Sequence, residues 1–138
     1  MVTIAVTAEG DEEPRVAHSP ETAQKYIGLG GAVRVQSGAG ARSRFSDDAY
    51  KAAGATIAQG AGETLLGADF LLKVRRPSVE EVKALKQGAI VAAILQPYDD
   101  RKDLDDLAAT GASLMSMEFM PRITRAQSMD VLSSQANL

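Results

Sequence analysis

Short apolar runs recur along the chain and are separated by segments that open with capping residues. The apolar runs predict six strands, at 2–6, 32–36, 55–58, 70–74, 89–95 and 112–117. Helices are predicted to begin where a serine precedes acidic residues, at 19–21, 46–48 and 78–81. The last of these, Ser-Val-Glu-Glu, has the spacing of a capping box.

Glycines are expected to end these helices, near Gly30, Gly54 and Gly88. A fourth helix is predicted over 102–109, and a further one among the Ser and Ala residues after Pro121. The chain then reaches Leu138 through Ser-Ser-Gln-Ala-Asn, without the glycine, proline or basic residues that usually end a helix. We therefore expect a piece of a longer polypeptide, with a frayed native tail as the alternative.

Strands that alternate with single helices predict a parallel sheet, because right-handed crossovers place the connecting helices on its two faces. The expected fold class is α/β, a flavodoxin-like or Rossmann-like three-layer fold with five or six parallel strands. The run at 70–74 is apolar enough to predict a strand that is buried on both faces, and the run at 89–95 fits a buried strand. The glycine-rich dinucleotide fingerprint is missing, because Gly38 and Gly40 lack the third glycine and precede a loop.

Composition and charge exclude several classes of protein. With 138 residues, 45% hydrophobic and 24% charged, the chain is expected to form a single domain over 1–138. The net charge of −3 leaves no excess of basic residues for nucleic-acid binding. No apolar run approaches the ~20 residues that span a bilayer, so direct membrane insertion is not expected. Cysteine is absent and histidine occurs once, so a disulfide or a multi-histidine metal site is excluded and no metal is expected.

The loops after the strands are the expected binding positions, because parallel sheets bind ligands beyond the carboxyl ends of their strands. His18 is more typical of a surface or capping side chain than of a catalytic one. Lys73 ends an apolar run, so its ammonium group needs water or a partner. Arg15 is compatible with an ordinary surface charge, and the acidic run at 11–13 with a solvated loop. The carboxylates at 99–106 are more typical of a solvated helix start than of a metal site.

The richest polar cluster lies near the end of the chain, after the sixth predicted strand. It contains Arg122, Gln127, Asp130 and Ser133. This position is the mouth end of the predicted sheet. On its own the cluster does not decide between a binding loop and a helix cap, because side chains of these types do both.

Several motifs resemble the N-terminal domain family of alanine dehydrogenase and pyridine nucleotide transhydrogenase. Pro-Arg-Val-Ala at 14–17 and Ser-Pro-Glu-Thr at 19–22 resemble the opening of that domain. The match continues through Ser-Gly-Ala-Gly at 37–40, Phe-Ser-Asp-Asp-Ala-Tyr at 45–50 and Ala-Gly-Ala at 53–55. The tail at 121–137, Pro-Arg-Ile-Thr-Arg-Ala-Gln-Ser-Met-Asp-Val-Leu-Ser-Ser-Gln-Ala-Asn, is the most specific segment, since it resembles a signature of the transhydrogenase alpha subunit.

The resemblance implies a portion of the NAD(H)-binding component of a proton-translocating NAD(P) transhydrogenase. Such an enzyme transfers hydride between NAD(H) on one peripheral domain and NADP(H) on another, and a membrane domain couples the transfer to proton movement. The family places an Arg, a Gln, an Asp and a Ser around the nicotinamide of NAD. These correspond to Arg122, Gln127, Asp130 and Ser133, of which the first three are the implied catalytic residues and all four the implied cofactor-binding residues.

The same resemblance implies partners and a location. In the family the NAD-binding Rossmann half follows this region, so the domain would supply one wall of the cofactor cleft and be inactive alone. The implied partners are NAD(H), the NADP-binding and membrane domains of the same enzyme, and a second copy in a homodimer. The implied location is cytoplasmic, at the peripheral face of the inner membrane.

A departure from the alanine dehydrogenase pattern bears on the reaction. Alanine dehydrogenases use a histidine after the fifth strand as acid and base, whereas the chain has Leu-Gln-Pro-Tyr at 95–98. Hydride transfer between two nicotinamides needs alignment rather than a titrating group, so the missing histidine favours transhydrogenation. Arg15 and Lys73 resemble the substrate-carboxylate anchors of alanine dehydrogenase. The alternatives are an amino-acid dehydrogenase of the alanine or saccharopine type and a non-catalytic α/β interaction module.

Overall fold

The computed structural model describes residues 1–96 and 99–119, which form a sheet of parallel strands with helices between them. The strands are β1 (Thr3–Val6), β2 (Ala32–Gln36), β3 (Thr56–Ala58), β4 (Phe70–Arg75), β5 (Ile90–Ile94) and β6 (Ser113–Ser116). The α-helices are α1 (Pro20–Gly28), α2 (Asp47–Ala52), α3 (Ala61–Leu65), α4 (Val79–Lys83) and α5 (Arg101–Ala109). Short 3-10 turns follow β2 and β6, at Ala41–Ser43 and Met117–Phe119.

Within the described residues the sheet has six strands in the order β3-β2-β1-β4-β5-β6, and all neighbouring strands are parallel. The order reverses between β1 and β4, because successive strands are added outward from each of them. This is the strand order of the doubly wound dinucleotide-binding fold. The predicted fold class, a Rossmann-like parallel α/β sheet, is therefore confirmed.

Each face of the sheet packs against its own helices, because alternate residues of a strand point to opposite sides. One core joins the sheet to α1 and α2 and includes Val6, Val33, Val35, Ala23 and Tyr50. The other joins the sheet to α3, α4 and α5 and includes Ala5, Leu71, Val91, Leu65, Val82 and Leu107. The result is the expected layering of helices, sheet and helices.

β4 and β5 are less buried than their apolar sequences predict. Leu71 and Val91 are fully buried beneath the helices on one face. On the other face Leu72 and Ala92 are only half-buried, because α1 and α2 pack mainly over β2 and β3. The prediction that β4 is buried on both faces is therefore wrong for the described residues, since its second face lines a cavity.

The predicted helix starts are confirmed at three serines. The hydroxyl oxygens of Ser19, Ser46 and Ser78 each accept a hydrogen bond from a backbone N–H in the first turn of α1, α2 and α4. Ser78 and Glu81 form the complete capping box. Within the described portion of the chain, no helix has both the length and the apolar character needed to cross a membrane.

The predicted end of α4 is wrong. The helix stops at Lys83 rather than near Gly88. The chain turns away there because the N–H of Lys86 donates to the carbonyl oxygen of Ala68, before β4. A contact with a distant residue therefore overrides the local glycine signal.

A helix that the local sequence pattern does not predict, α3, lies between β3 and β4. It begins after Gly60, which has no side chain to cap it, and it is only five residues long. Its carboxyl end is held by Arg34 of β2, whose Nη1 donates to the carbonyl oxygens of Glu63, Thr64 and Leu66 at 3.1, 2.9 and 3.0 Å. The positive charge of the guanidinium also interacts favourably with the partial negative charge at that helix end.

Replacement of Arg34 tests how much this contact stabilises the fold. Arg34→Met keeps an aliphatic stem but removes the three hydrogen bonds, so the free energy of unfolding should fall by about 1.5–3 kcal/mol. Arg101→Met is the control, because Arg101 forms an exposed pair with Asp105 within α5 and such pairs contribute little. Urea unfolding measures both variants, and equal effects would contradict the structural role given to Arg34.

Candidate functional site

The carboxyl ends of β1 and β4 meet where the strand order reverses, which is the usual ligand position in parallel sheets. A cavity of about 540 Å³ lies beside this point. Its apolar lining includes Phe45, Leu72, Val74, Ala92, Ile94 and Met117. Its polar groups include Arg15, Tyr26, Ser43 and Lys73. A mostly apolar cavity with a few polar groups at its edge is typical of a small-molecule site.

Lys73 lies near the end of β4, and oxygen atoms surround its ammonium group. Nζ is 3.7 Å from Glu9 Oε1 and 3.7 Å from Glu81 Oε2, and it donates to the carbonyl oxygen of Ala8 at 3.4 Å. The side chains of Lys73 and Glu9 are 6% and 1% exposed. The expectation that this ammonium needs a partner is confirmed, and its partners are carboxylates of the loop after β1 and of α4.

Glu13 is buried, although the acidic run around it predicts a solvated loop. Its carboxylate accepts hydrogen bonds from Nε of Arg15 and Nε of Arg75, both at 2.8 Å. The hydrogen bonds from Arg15, together with that from Arg75, outweigh the opposing effect of burial and lower the pKa of Glu13 to about 2. The prediction of a solvated loop is therefore wrong for Glu13, whereas Asp11 and Glu12 are exposed as predicted. The side chain of Arg15 is 42% exposed, which agrees with a surface charge, and it pairs with Glu13.

Side chains accept the backbone N–H groups that the strands leave unpaired at their carboxyl ends. Glu9 is the clearest case, because its two carboxylate oxygens accept from the N–H groups of Val74 and Arg75, each at 2.9 Å. Side chains at the ends of other strands do the same in the described residues. We call this set the strand-end acceptors: Glu9, Gln36, Asp47 and Glu118.

Glu118 ties the end of β5 to the end of β6. Its carboxylate accepts from the N–H groups of Leu95 at 3.1 Å and Gln96 at 2.6 Å, and the Ser116 hydroxyl also donates to it. Burial raises the pKa of Glu118, but these hydrogen bonds outweigh burial and the pKa lies below its ordinary value. The carboxylate is therefore charged at neutral pH, where it holds the two strand ends together.

The loops after β1 and β2 do not offer a phosphate cradle. The N–H of Ala8 already donates to Gln36, and the N–H of Gly38 already donates to Asp47, each at 2.9 Å. A Cβ on Gly40 would lie 2.8 Å from the ring of Tyr50, so close packing explains that glycine. The interpretation of Gly38 and Gly40 as an ordinary turn is thus supported by their contacts.

His18 is buried beside the start of α1, so the expectation of a surface or capping side chain is wrong. It is 5% exposed, and its ring lies edge-on to the rings of Tyr26 and Tyr50, with centroids 5.6 and 6.1 Å away. The Tyr50 hydroxyl donates to the His18 carbonyl oxygen at 2.8 Å. Nε2 has no hydrogen-bond partner among the described residues, and burial lowers the pKa of the imidazole.

The carboxylates at 99–106 stabilise α5. Asp100 accepts from the N–H of Asp103 and caps the helix. Pairs four residues apart join Arg101 to Asp105 and Lys102 to Asp106 along its exposed surface. Among the described residues, no cluster of histidines and carboxylates could hold a metal ion.

The residues implied by the family resemblance lie outside the described residues. These are Arg122, Gln127, Asp130 and Ser133, together with the helix predicted after Pro121. Of the stretch at 95–98, Leu95 and Gln96 are described. The described residues therefore end shortly before this cluster, and Glu118 is among the last of them.

Sequence reasoning missed Glu9, Glu81 and Glu118 as members of this edge. Their partners are distant in the chain, since Glu9 and Arg75 are 66 residues apart and Glu118 and Leu95 are 23 apart. No local motif marks such contacts. The available signal was Lys73 at the end of an apolar run, because a buried ammonium group needs a partner. The sequence does not identify that partner.

Comparison with known proteins relates the chain to pyridine nucleotide enzymes. The model of the family described as "Alanine dehydrogenase/PNT, N-terminal domain" matches residues 5–138. An NAD(P) transhydrogenase alpha subunit of Rhodospirillum rubrum is 46% identical over 131 residues, or 91% of this chain and 34% of that protein. Alanine dehydrogenase of Halomonas elongata is 34% identical over 116 residues, or 83% of this chain and 31% of that protein.

A solved structure has the same fold. The crystal structure of transhydrogenase from Sinorhizobium meliloti matches with a TM-score of 0.91 and 44% identity, covering 99% of this chain and 41% of that chain. The chain thus spans about a third of the two curated relatives that it matches.

The buried His18 predicts a loss of stability in mild acid. Its folded-state pKa lies below the ordinary value of 6.5, so the unfolded state binds the proton more readily. The free energy of unfolding should fall as the pH decreases from about 6.5 to about 5.5, by at most about 1.4 kcal/mol per pH unit. Because the sequence has one histidine, His18→Phe should remove the dependence in this window, whereas the decline at lower pH, which comes from carboxylates such as Glu13, should remain. Urea unfolding at several pH values measures it, and a wild type with constant stability between pH ~6.5 and ~5.5 would contradict the assignment.

Proposed function

The chain belongs to the alanine dehydrogenase/PNT N-terminal domain family, and we propose that it forms a portion of the NAD(H)-binding component of a proton-translocating NAD(P) transhydrogenase. The complete enzyme transfers hydride between NAD(H) and NADP(H) and couples the transfer to proton movement across a membrane. The observation that carries the proposal is the 46% identity to a transhydrogenase alpha subunit over 91% of the chain.

The described residues suit one wall of a cofactor cleft better than the main cofactor site. A dinucleotide pyrophosphate is normally bound by free N–H groups at a helix start after the first strand. Here the side chain of Gln36 accepts a hydrogen bond from the N–H of Ala8, just after β1, and the Ser19 hydroxyl caps the start of α1. We therefore assign the main NAD contacts to a following Rossmann half, as in the family pattern.

The chemistry at the edge supports direct hydride transfer. Reduction of an imine or ketone needs a group that delivers a proton, whereas exchange between two nicotinamides needs alignment at close range. Among the described residues that line the cavity, the titratable side chains are Arg15, Tyr26 and Lys73, and the ammonium group of Lys73 is already paired with Glu9 and Glu81. At the end of β5, Leu95 and Gln96 offer no titrating side chain, and their N–H groups are bound by Glu118.

The residues of the tail are assigned to the nicotinamide. Gln127 is uncharged, with two donors and an acceptor, so it can bridge the carboxamide to a neighbouring group. Arg122 has a planar fork suited to a pyrophosphate or carboxamide oxygen. Asp130 can accept from a ribose hydroxyl, from the carboxamide or from Arg122, and Ser133 can donate to the carboxamide. None of them is asked to take a proton from a substrate, and NAD itself supplies the hydride chemistry.

The proposal includes an assembly and a location. The partners are the NADP-binding domain and the membrane domain of the same enzyme, and a second copy in a homodimer. The component acts from the cytoplasmic side, at the peripheral face of the inner membrane. The chain of 138 residues alone is expected to be inactive, because it spans 34% of its transhydrogenase relative.

An amino-acid dehydrogenase is the second candidate, favoured by the 34% identity to an alanine dehydrogenase. The two reactions are distinguished with the complete subunit and NADH. Reduction of an NADP analogue in the presence of the NADP-binding domain supports transhydrogenation. Oxidation of NADH that depends on pyruvate and ammonia supports the dehydrogenase and contradicts the proposal.

The role of Gln127 is tested by shortening its side chain. In the complete enzyme, Gln127→Asn should lower the hydride-transfer rate far more than the affinity for NADH, because alignment is lost while the main cofactor contacts remain. Stopped-flow single-turnover kinetics with the NADP-binding domain measures the rate. A normal rate with a large loss of NADH affinity would instead make the loop a binding clamp.

Cofactor binding by the chain alone is a separate test. The chain of 138 residues should bind NAD weakly or not at all, because the fingerprint glycines and the acidic ribose partner are missing. Titration calorimetry against the complete subunit measures the difference. Equal affinities of the two proteins for NAD would contradict the division of the cofactor site.

A further inference from the structure

The guanidinium of Arg76, which follows β4, binds the described residues of the loop after β5. Nε donates to the carbonyl oxygen of Leu95 at 2.7 Å, and Nη2 donates to those of Gln96 and Asp99 at 2.7 and 2.8 Å. Nη1 is 3.2 Å from the carbonyl oxygen of Asp100 and 3.2 Å from a carboxylate oxygen of Asp103. The Arg76 side chain is 13% exposed, so little water competes for these contacts.

Glu118 holds the same loop from the other side. Arg76 binds the carbonyl oxygens of Leu95 and Gln96, and Glu118 binds the N–H groups of the same two residues. The two side chains therefore fix both polar groups of each residue. We call Arg76 and Glu118 the loop clamp.

The conformation of the loop explains why it needs such a clamp. Gln96 and Asp100 have φ angles of 49° and 46°, in the left-handed region that residues other than glycine rarely adopt. Such conformations persist only where the surrounding contacts determine them. Without Arg76 and Glu118 the loop is expected to relax to a different path.

The loop clamp also lies at the wall of the cavity. Met117, beside Glu118, and Ile94, before Leu95, both line the cavity. A shift of the β5 end against the β6 end would therefore move the cavity wall. In the sequence, Glu118 is four residues before Arg122, the first residue assigned to the nicotinamide.

We infer that Arg76 and Glu118 are positioning residues for hydride transfer, which act by fixing the carboxyl ends of β5 and β6 beside the cavity. Neither is a catalytic residue, because each acts through the backbone that it holds. The inference rests on the proposed transhydrogenase function. It adds two residues that lie outside the 122–133 cluster and have no local sequence motif.

Two substitutions in the complete subunit test the loop clamp. Glu118→Gln keeps the shape of the side chain but replaces one acceptor oxygen with a donor, so one of the two N–H groups loses its partner. Arg76→Met keeps an apolar stem and removes the whole fork. With the NADP-binding domain present, each should lower the single-turnover transfer rate by about tenfold to a hundredfold, with NADH affinity changed less than about twofold.

Matched variants separate positioning from a general loss of stability. Glu118→Asp retains both acceptor oxygens and should recover some of the lost rate. Asp69→Asn is the control, because Asp69 accepts the N–H of Thr3 at the opposite edge of the sheet, at 2.9 Å. Its transfer rate should stay normal, and a loss as large as that of Glu118→Gln would overturn the inference.

Hydrogen exchange on the complete subunit gives a readout that does not depend on activity. The segment with Leu95 and Gln96 should exchange about tenfold faster in Glu118→Gln than in the wild type. Unchanged exchange, or variants that transfer hydride at the normal rate in an active enzyme, would overturn the positioning role alone. A wild-type enzyme that cannot reduce the NADP analogue would overturn the proposed function, and the positioning role with it.

Discussion

Backbone N–H groups at the carboxyl ends of parallel strands have no partner in the sheet, and at a ligand-binding edge helices do not cover them. A buried N–H without a partner costs as much as a lost hydrogen bond. In the described residues the strand-end acceptors meet this demand, with Glu9 and Glu118 each accepting two such groups. The edge is therefore made rigid by side chains from neighbouring elements of the chain.

The same carboxylates balance the charges at the cavity. Glu9 binds the end of β4 and also lies 3.7 Å from the ammonium of Lys73. Glu13, nearby in sequence, pairs with Arg15 and Arg75. Because Glu9 makes backbone and charge contacts at once, its loss would leave two N–H groups without this acceptor and remove one of the two carboxylates beside Lys73. Rigidity of this kind suits a reaction that depends on alignment.

Local sequence signals predicted much of the fold but few of the contacts at the carboxyl ends of the strands. The serines at 19, 46 and 78 mark helix starts through contacts within four residues, so the sequence alone reveals them. The sequence pattern did not predict α3, because this helix is short and its stabilising partner, Arg34, lies in β2. The expectations for Glu13 and His18 were wrong for a related reason, since their burial depends on Arg75 and Tyr50, which lie far along the chain.

Direct hydride transfer between two nicotinamides beside this edge is the proposed reaction. It is tested by following deuterium from NADH labelled at both C4 positions, using the complete subunit and the NADP-binding domain, with an NADP analogue, pyruvate and ammonia all present. Direct transfer predicts deuterium in the reduced NADP analogue and none in alanine. Deuterium at the α-carbon of alanine, with an unlabelled and unreduced NADP analogue, would contradict it.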